Sequence, residues 1–422
     1  MDAQTLHHHQ HPGAEEETTF MQTNLVSDGF VPAPTIDPNL INPWGIAHSA
    51  TSPFWVSDNG MGVTTVYTGA GAKVNVGGLD AITIATPPGQ TSPASPTGDV
   101  FNIAGSGFNI TSGGHTGSSV FIFATEDGTI SGWNPNVNTA SSVLAVDNSQ
   151  GGAGAVYKGL AIGQTDEGTF LFAANFRNGT VDVFNSDFKQ VNSFTDPKVP
   201  AGFAPFNVQV LDDHLFVTFA LQNAAKHDDV AGPGNGFVDE FDLQGNLLNR
   251  VASGGALNSP WGLAIAPPGF GEFANDLLVG NFGDGTINVF NPKNDHFLGK
   301  LEGADGTPIT IGDLWALVPG TGNAGTDPNK IYFTAGVLNE AQGLFGSLAA
   351  IPESNSAMSM TGSMTGAMTG PMTGSGAMTG AMATPVRGSM TGSMMGSMSD
   401  SMTNPVAGSM TGPMTGSHSM HG

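Results

Sequence analysis

Residues 259–292, SPWGLAIAPPGFGEFANDLLVGNFGDGTINVFNP, hold three short apolar runs and one tight turn in an order that recurs along most of the chain, and such a unit leaves few folds open. The runs 261–266, 277–281 and 286–290 read as strands. Asp284-Gly285 separates the last two. Asp-Gly between alternating strands marks a hairpin, because that turn calls for positive φ at its central residues. The unit is therefore read as a β-meander.

Five further copies align on it. The first runs 43–47, 54–58, a Gly60/Gly62 turn and 63–67; the second 96–98, 120–125, Asp127-Gly128 and 129–133. In the third, 158–161 and 170–175 precede Asn178-Gly179 and 180–185. The fourth has 205–208 and 215–219, then a long polar insertion up to Asn235-Gly236 before 237–242. The last has 313–317, 331–335 and 343–351. Six copies averaging about 55 residues predict an all-β chain folded as a six-bladed β-propeller over residues 21–352. A sandwich does not repeat one four-strand module, and a parallel β-helix has a much shorter period. The final copy lacks a strand, and residues 21–25 are expected to supply it, closing the ring and leaving no long edge exposed.

Composition agrees and narrows the partners. With 61 Gly and 27 Pro in 422 residues, turns and strands must dominate over helices. Residues 21–351 carry 10 basic against 29 acidic side chains. That field repels phosphate backbones and anionic lipid, so no nucleic-acid partner is expected. No cysteine is present, which removes disulfides, thiolate metal sites and Cys nucleophiles. No apolar run approaches the ~18 residues of a membrane span, so no membrane insertion is expected, and the protein reads as a soluble monomer.

The runs NLVSDG, INPWGIA, FWVSDNG, FIFATEDGTISGWNP, YKGLAIG, FTDPKVPAGFAPFN, GPGNGFVDEFD, LNSPWGLAIAP and LLVGNFGDGTINVFNP stand in this order over about residues 22–348. In them the chain resembles an uncharacterised bacterial family of NHL-like six-bladed β-propeller proteins, several of which are exported. The resemblance implies the fold and an extracytoplasmic or cell-surface address, and implies no substrate or catalytic residue. The present N-terminus, which has no basic segment followed by an apolar core, departs from the exported members.

Within residues 21–351 there is no G-x-S-x-G elbow, no H-E-x-x-H, no phosphate-binding G-x-x-x-x-G-K and no nonapeptide calcium repeat. The Asp-Gly-Thr and Asn-Gly-Thr triplets at 127–129, 178–180 and 284–286 are read as hairpin chemistry, not calcium ligands. Meander geometry is more informative: the innermost strand of each blade starts, and the second ends, at the same rim of the channel. Aligned starts and ends gather Trp44, Lys158, Phe206, Trp261 and Trp315 with Asp58, Asn175 and Asn281. Aromatic faces beside amides and a carboxylate suit a carbohydrate, another neutral polar small molecule or a protein partner. The same repetition also fits aromatics that wedge blades apart and Asn residues that cap strand ends. Two functions stay open: a non-catalytic ligand-binding or scaffolding propeller of unknown ligand and cofactor, and a metal-dependent hydrolase or lyase of lactonase type. In the second, a divalent cation on the axis is held by Asp58, Asn175 and Asn281, with Glu126 or Glu340 as a fourth ligand and His48 or His214 as nearby imidazoles.

Both ends of the chain are expected to be disordered tails. Residues 1–20 carry His7, His8, His9 and His11, a weak site for Cu²⁺, Ni²⁺ or Zn²⁺. Residues 353–422 repeat Met-Thr-Gly-(Ser/Ala/Pro) and hold 15 of the 18 Met, four apart at Met360, Met364, Met368 and Met372. Such a segment is either an inert spacer or a soft-metal binder, since thioether sulfur prefers Cu(I). If the tails bind copper, they differ in oxidation state, Cu(II) at the His end and Cu(I) at the Met end. Titration of each ion into the full chain and into residues 21–351 checks this; undiminished copper affinity in the trimmed protein overturns it.

Overall fold

The computed structural model describes residues 18–150 and 154–351. The His run and the Met-rich repeat lie outside the described residues, but Thr19 and Phe20, read from sequence as part of a disordered tail, begin the closing strand, with Phe20 buried. The repeated meander forms six antiparallel sheets. The template unit becomes Pro260–Ile265, Leu277–Asn281, Ile287–Phe290 and Phe297–Lys300, hydrogen-bonded in that order. Inner strands such as Pro43–Ala47 and Phe54–Asp58 are buried at every position, whereas the outer strand Gln190–Phe194 is almost wholly exposed. Blades stack face against face, so strands near the axis are covered on both sides. That is why they read as continuous apolar runs without strict alternation.

The ring closes as expected. Thr19–Ser27 pairs antiparallel with Leu344–Ile351, from Thr19 opposite Ile351 to Ser27 opposite Leu344, with a bulge between Asn24 and Val26. The closing strand is longer than residues 21–25 at both ends. Two-residue strand Thr35–Ile36 adds to its edge in parallel. An additional hairpin, Asn109–Ser112 with His115–Ser118, projects between the first two strands of blade 2, where the sequence reading placed no strand.

The Asp-Gly turn differs from the expected one. Only Gly285 has positive φ, at 71°, and Asp284 does not. Gly285 N donates to Asn281 O at 3.0 Å and Asn281 N to Thr286 O at 2.9 Å, so the loop spans four residues. Its last residue alone needs the left-handed region, which Gly supplies without a Cβ clash. Asp284 acts through its carboxylate instead, accepting from Thr286 N at 3.0 Å and Thr286 Oγ1 at 2.6 Å.

Around the axis, the third residue of the innermost strand in blades 1, 2, 3 and 5 is a glycine that faces the next blade, and the aligned position in blade 4 is Asn207, fifth in the longer strand Phe203–Leu211. A Cβ on Gly98 would stand 2.2 Å from Leu160 N, and one on Gly262 would stand 2.6 Å from Trp315 O. Gly45 and Gly159 are hemmed in the same way, by Asp99 with Thr97 O and by Asn207. In blade 4 Asn207 takes this place and ties the blades directly, its Nδ2 donating to Trp261 O at 2.8 Å. Further out, Trp55 stacks on Phe121 at 4.2 Å and lies 4.8 Å from Trp133, joining blades 1 and 2.

Gly98→Ala should lower unfolding free energy by about 2 kcal/mol or more, because backbone has to yield, whereas Gly312→Ala, with nothing within 4 Å, should be near neutral. Deleting residues 1–30 should destabilise the whole ring, since it opens the sheet of blade 6. Denaturant titration of the three variants checks both; equal midpoints would refute the close-approach account.

Candidate functional site

One rim gathers the predicted aromatics, but against one another. Trp44 and Trp315 stack with centroids 3.5 Å apart, and Phe282 stacks on Trp315 at 4.2 Å. Trp261 meets Trp44 and Trp315 edge-on at 6.1 and 5.7 Å, while Phe206 lies 5.9 Å from Trp315. Trp44, Phe206, Trp261 and Trp315 are each at most 4% exposed. Burying several rings where six innermost strands start is a large apolar gain, and it plugs the channel. Their faces are therefore engaged within the protein, so of the two uses the sequence left open, a ligand platform and a packing role, these contacts serve packing.

Above this floor lies Lys158, 2% exposed, on the innermost strand of blade 3, Tyr157–Thr165. Its Nζ is 5.1 Å from the Trp44 centroid and 5.9 Å from that of Phe176, within cation–π range. It forms an ion pair with Glu126, and Asp228 Oδ1 lies at 3.4 Å. Burial favours the neutral amine, but the attraction of Glu126, Asp228 and Glu340 outweighs it and raises the Lys158 pKa. The group is held as an ammonium.

The acids come from three blades. Glu126 follows the second strand of blade 2, Phe121–Thr125, and its Oε2 accepts from Asn59 Nδ2 at 2.9 Å. Glu340 precedes Leu344–Ile351 and accepts from Asn42 Nδ2 at 2.7 Å, while Asn42 Oδ1 accepts from Trp315 Nε1 at 2.9 Å. Asp228 sits in the blade 4 insertion, where His227 Nδ1 lies 2.7 Å from its Oδ1. That imidazole, first among its partners, holds Asp228 well below the usual carboxylate range. Burial pushes Asp229 up, and it pushes Glu340 up to about 7, with Asn42 opposing and Glu126 adding to the rise.

The other predicted ligands are separated. Asp58 is fully buried and accepts from Thr65 Oγ1 at 2.8 Å. Asn175 Nδ2 donates to Asp182 at 2.9 Å, and Asn281 Nδ2 donates to Ala256 O at 2.9 Å. Each braces its own blade, and no two share a partner. His48 and His214 lie at the strand ends remote from this rim, His48 Nδ1 against Ser49 O at 3.0 Å and His214 against Glu240. Among the described residues, a carboxylate and imidazole group able to converge on one ion is Glu126, His227 and Asp228, with ligand atoms within 4.8 Å of one another. The sequence reading named Glu126 and Glu340 as alternatives at the rim but missed His227, Asp228, Asn42 and Asn59. The polar insertion 222–235, far longer than its counterparts, was the available signal.

The fold and this rim define a class: a six-bladed β-propeller with an aromatic axial plug and a buried ammonium ringed by acids. No protein-family model matches the chain. It is 32% identical over 338 residues to an uncharacterised protein of Acanthamoeba polyphaga mimivirus, covering 78% of this chain and 80% of that one. A second uncharacterised protein of the same virus is 32% identical over 339 residues, 78% of this chain and 86% of that one. The chain belongs to the family these proteins form, and the relatives found are viral where the resemblance pointed to bacterial ones. Among solved structures, a streptogramin B lyase is similar with a TM-score of 0.44 at 11% identity, over 81% of this chain and 100% of that one. The WD40 propeller domain of Doa1 gives 0.41 at 10% identity, over 78% and 97%. Likeness at this distance says nothing of activity. No described helix is long and apolar enough to cross a membrane.

Glu340 gives the rim a pH dependence with a definite sign. Its carboxyl, ordinarily near 4.5, is raised to about 7 in the fold, so the folded state binds the extra proton between those values and stability falls as pH rises through that window. The full displacement corresponds to about 3 kcal/mol, and solvent at the mouth reduces it. From pH 4.5 to 8 the wild type should lose about 2 kcal/mol more than Glu340→Gln, measured by denaturant titration at each pH. Parallel pH profiles for the two proteins would show that Glu340 ionises freely.

Proposed function

We propose that the protein is a non-catalytic, ligand-binding propeller whose site is the acidic mouth around Lys158, and that it takes a neutral or cationic polar small molecule. The observation that carries this is a fully buried ammonium held at the axis by carboxylates from three blades. Burying a charge is costly unless it is fully paired, and a ring needs no such group to close. Glu126, Asp228, Asp229 and Glu340 outnumber Lys158, which disfavours anions. The amides of Asn42 and Asn59 supply directed hydrogen bonds. Asp228, 60% exposed in its side chain, marks the side from which a ligand enters. Lys158 is kept protonated and paired, so it is poorly suited to act as nucleophile or base. An NHL-type kinship and a cell-surface address are proposed with this reading, supported by the sequence runs alone.

A metal-dependent hydrolase or lyase is the second reading, favoured by the convergence of Glu126, His227 and Asp228. The Lys158 ammonium argues against it, because it already lies against two of the three ligands, and a divalent ion would have to displace it. The two readings part on one substitution. Lys158→Met should abolish binding of a polar ligand, found by screening polyols, oligosaccharides and amines for thermal stabilisation of the full chain. Under the metal reading the same variant should bind Zn²⁺ or Mg²⁺ more tightly, and His227→Ala should lose it. Stoichiometric divalent metal in natively purified wild type, lost on His227→Ala, would overturn the binding reading.

A further inference from the structure

Blades 3 and 4 differ at one pair of positions that face the preceding blade. In blade 4, Asp239 on the third strand stands directly opposite Arg250 on the outer strand. Residues paired across an antiparallel ladder project from the same face, and Arg250 turns its Nε and Nη2 onto the Asp239 carboxylate. Nη2 also reaches Asp196, which follows the outer strand of blade 3, and the central carbon of the guanidinium lies 4.9 Å from the Phe237 centroid. A guanidinium is thus gripped between carboxylates of two blades. Blade 5 keeps the pattern in weaker form, with Asn288 opposite Lys300 and Lys300 Nζ donating to Thr286 Oγ1 at 3.0 Å.

In blade 3 the carboxylate is retained and the cation is not. Asp182 occupies the place of Asp239, and the residue opposite it is Ser193. A cleft of about 490 Å³ opens there between blades 2 and 3. Asp147, which ends the outer strand of blade 2, and Asn148 line one side, while Asp182, Ser193, Thr180 and Gln190 line the other. Among the described residues no lysine or arginine lines it. Arg177, on the adjacent turn, donates instead from Nη1 to Gly154 O at 3.1 Å. Asp182 keeps 5% of its surface exposed, whereas Asp239 beneath Arg250 keeps none. The hydrogen-bond partners of Asp182 are neutral: Thr180 Oγ1 donates to one oxygen at 2.9 Å, Asn175 Nδ2 to the other at 2.9 Å, and Tyr157 Oη reaches that second oxygen at 3.4 Å.

We propose that the cleft between blades 2 and 3 receives an alkylguanidinium group from another molecule, held by Asp182 and Asp147 as Arg250 is held by Asp239 and Asp196. A largely buried carboxylate facing no positive charge is costly, and a cation brought into the cleft lowers that cost. Blade 4 shows which cation such a pair of carboxylates takes. A guanidinium presents a planar fork of donors to a carboxylate, whereas an ammonium is a compact, strongly hydrated point charge. The cleft opens to solvent past the exposed Gln190 and Ser193, so an alkyl stem can leave it. The guanidinium comes from an arginine side chain of a peptide or from a small guanidine, and the recognising groups are the same for both. This site is separate from the mouth around Lys158 and does not depend on it.

The test is isothermal titration of the full chain with butylguanidinium and butylammonium chlorides at equal, low ionic strength, which holds general screening constant. Butylguanidinium should bind saturably and roughly tenfold more tightly than butylammonium, since its fork engages both oxygens of a carboxylate at once. Ser193→Arg puts into the cleft the cation that blade 4 carries, so it should abolish this binding and raise Tm. Asp182→Asn should abolish it too; should that variant fail to fold, Ser193→Arg decides alone, because position 193 is exposed. The tripeptide Gly-Arg-Gly distinguishes the sources: tighter binding than butylguanidinium marks a peptide ligand, and equal or weaker binding a small guanidine. No saturable binding, equal affinity for the two cations, or binding that survives Ser193→Arg overturns the proposal.

Discussion

The architecture depends on how closely six innermost strands approach one axis. At Gly45, Gly98, Gly159 and Gly262 a single Cβ would collide with atoms of the neighbouring blade. Where blade 4 departs from glycine, Asn207 turns the close approach into a hydrogen bond across blades. Close packing at the axis determines the rest. The channel shrinks to a water-sized space, the aromatic residues that open blades 1, 4, 5 and 6 meet above it, and their burial anchors the ring's centre.

Closing the ring is a separate constraint. Blade 6 takes its outer strand from Thr19–Ser27, ahead of the first repeat, so segments far apart in sequence are joined by a long antiparallel ladder. Gly343 shows how tightly the junction is made, since a Cβ there would lie 1.8 Å from Leu40 O. Within each blade neighbouring strands are local in sequence, whereas this pairing is distant and forms only against the loop-closure cost of joining it.

At the mouth, electrostatics rather than packing sets the chemistry. A lysine ammonium placed over Trp44 and Phe176 loses water, and carboxylates on loops of other blades compensate it. With more acids than one ammonium can satisfy, some must be disfavoured, and burial falls hardest on Glu340 and Asp229. Asp228, paired with His227, stays ionised. Three carboxylates within one small region therefore differ in character because their surroundings differ, a distinction residue type does not carry.

Six meanders, the positions though not the geometry of their turns, and the borrowed closing strand were legible in the sequence because each rests on local patterning: apolar runs of strand length, Asp-Gly or Asn-Gly pairs, and one missing strand in the last copy. The alignment also brought Trp44, Phe206, Trp261, Trp315 and Lys158 correctly to one rim, since antiparallel pairing dictates which strand ends share a side. Which way those side chains face was decided only in three dimensions. The aromatics turned onto one another because the axis offered them burial, while Asp58 and Asn175 are held by side chains of their own blades, Thr65 and Asp182, and Asn281 by the Ala256 carbonyl. Residues 227–229 reach Lys158 from an insertion with no counterpart in the repeat, so periodicity could not place them. Sequence alone determined the number of blades and the order of strands, both written in local repeats. Tertiary structure decided which charges meet, because that depends on loops of different blades converging on an axis that no single repeat contains.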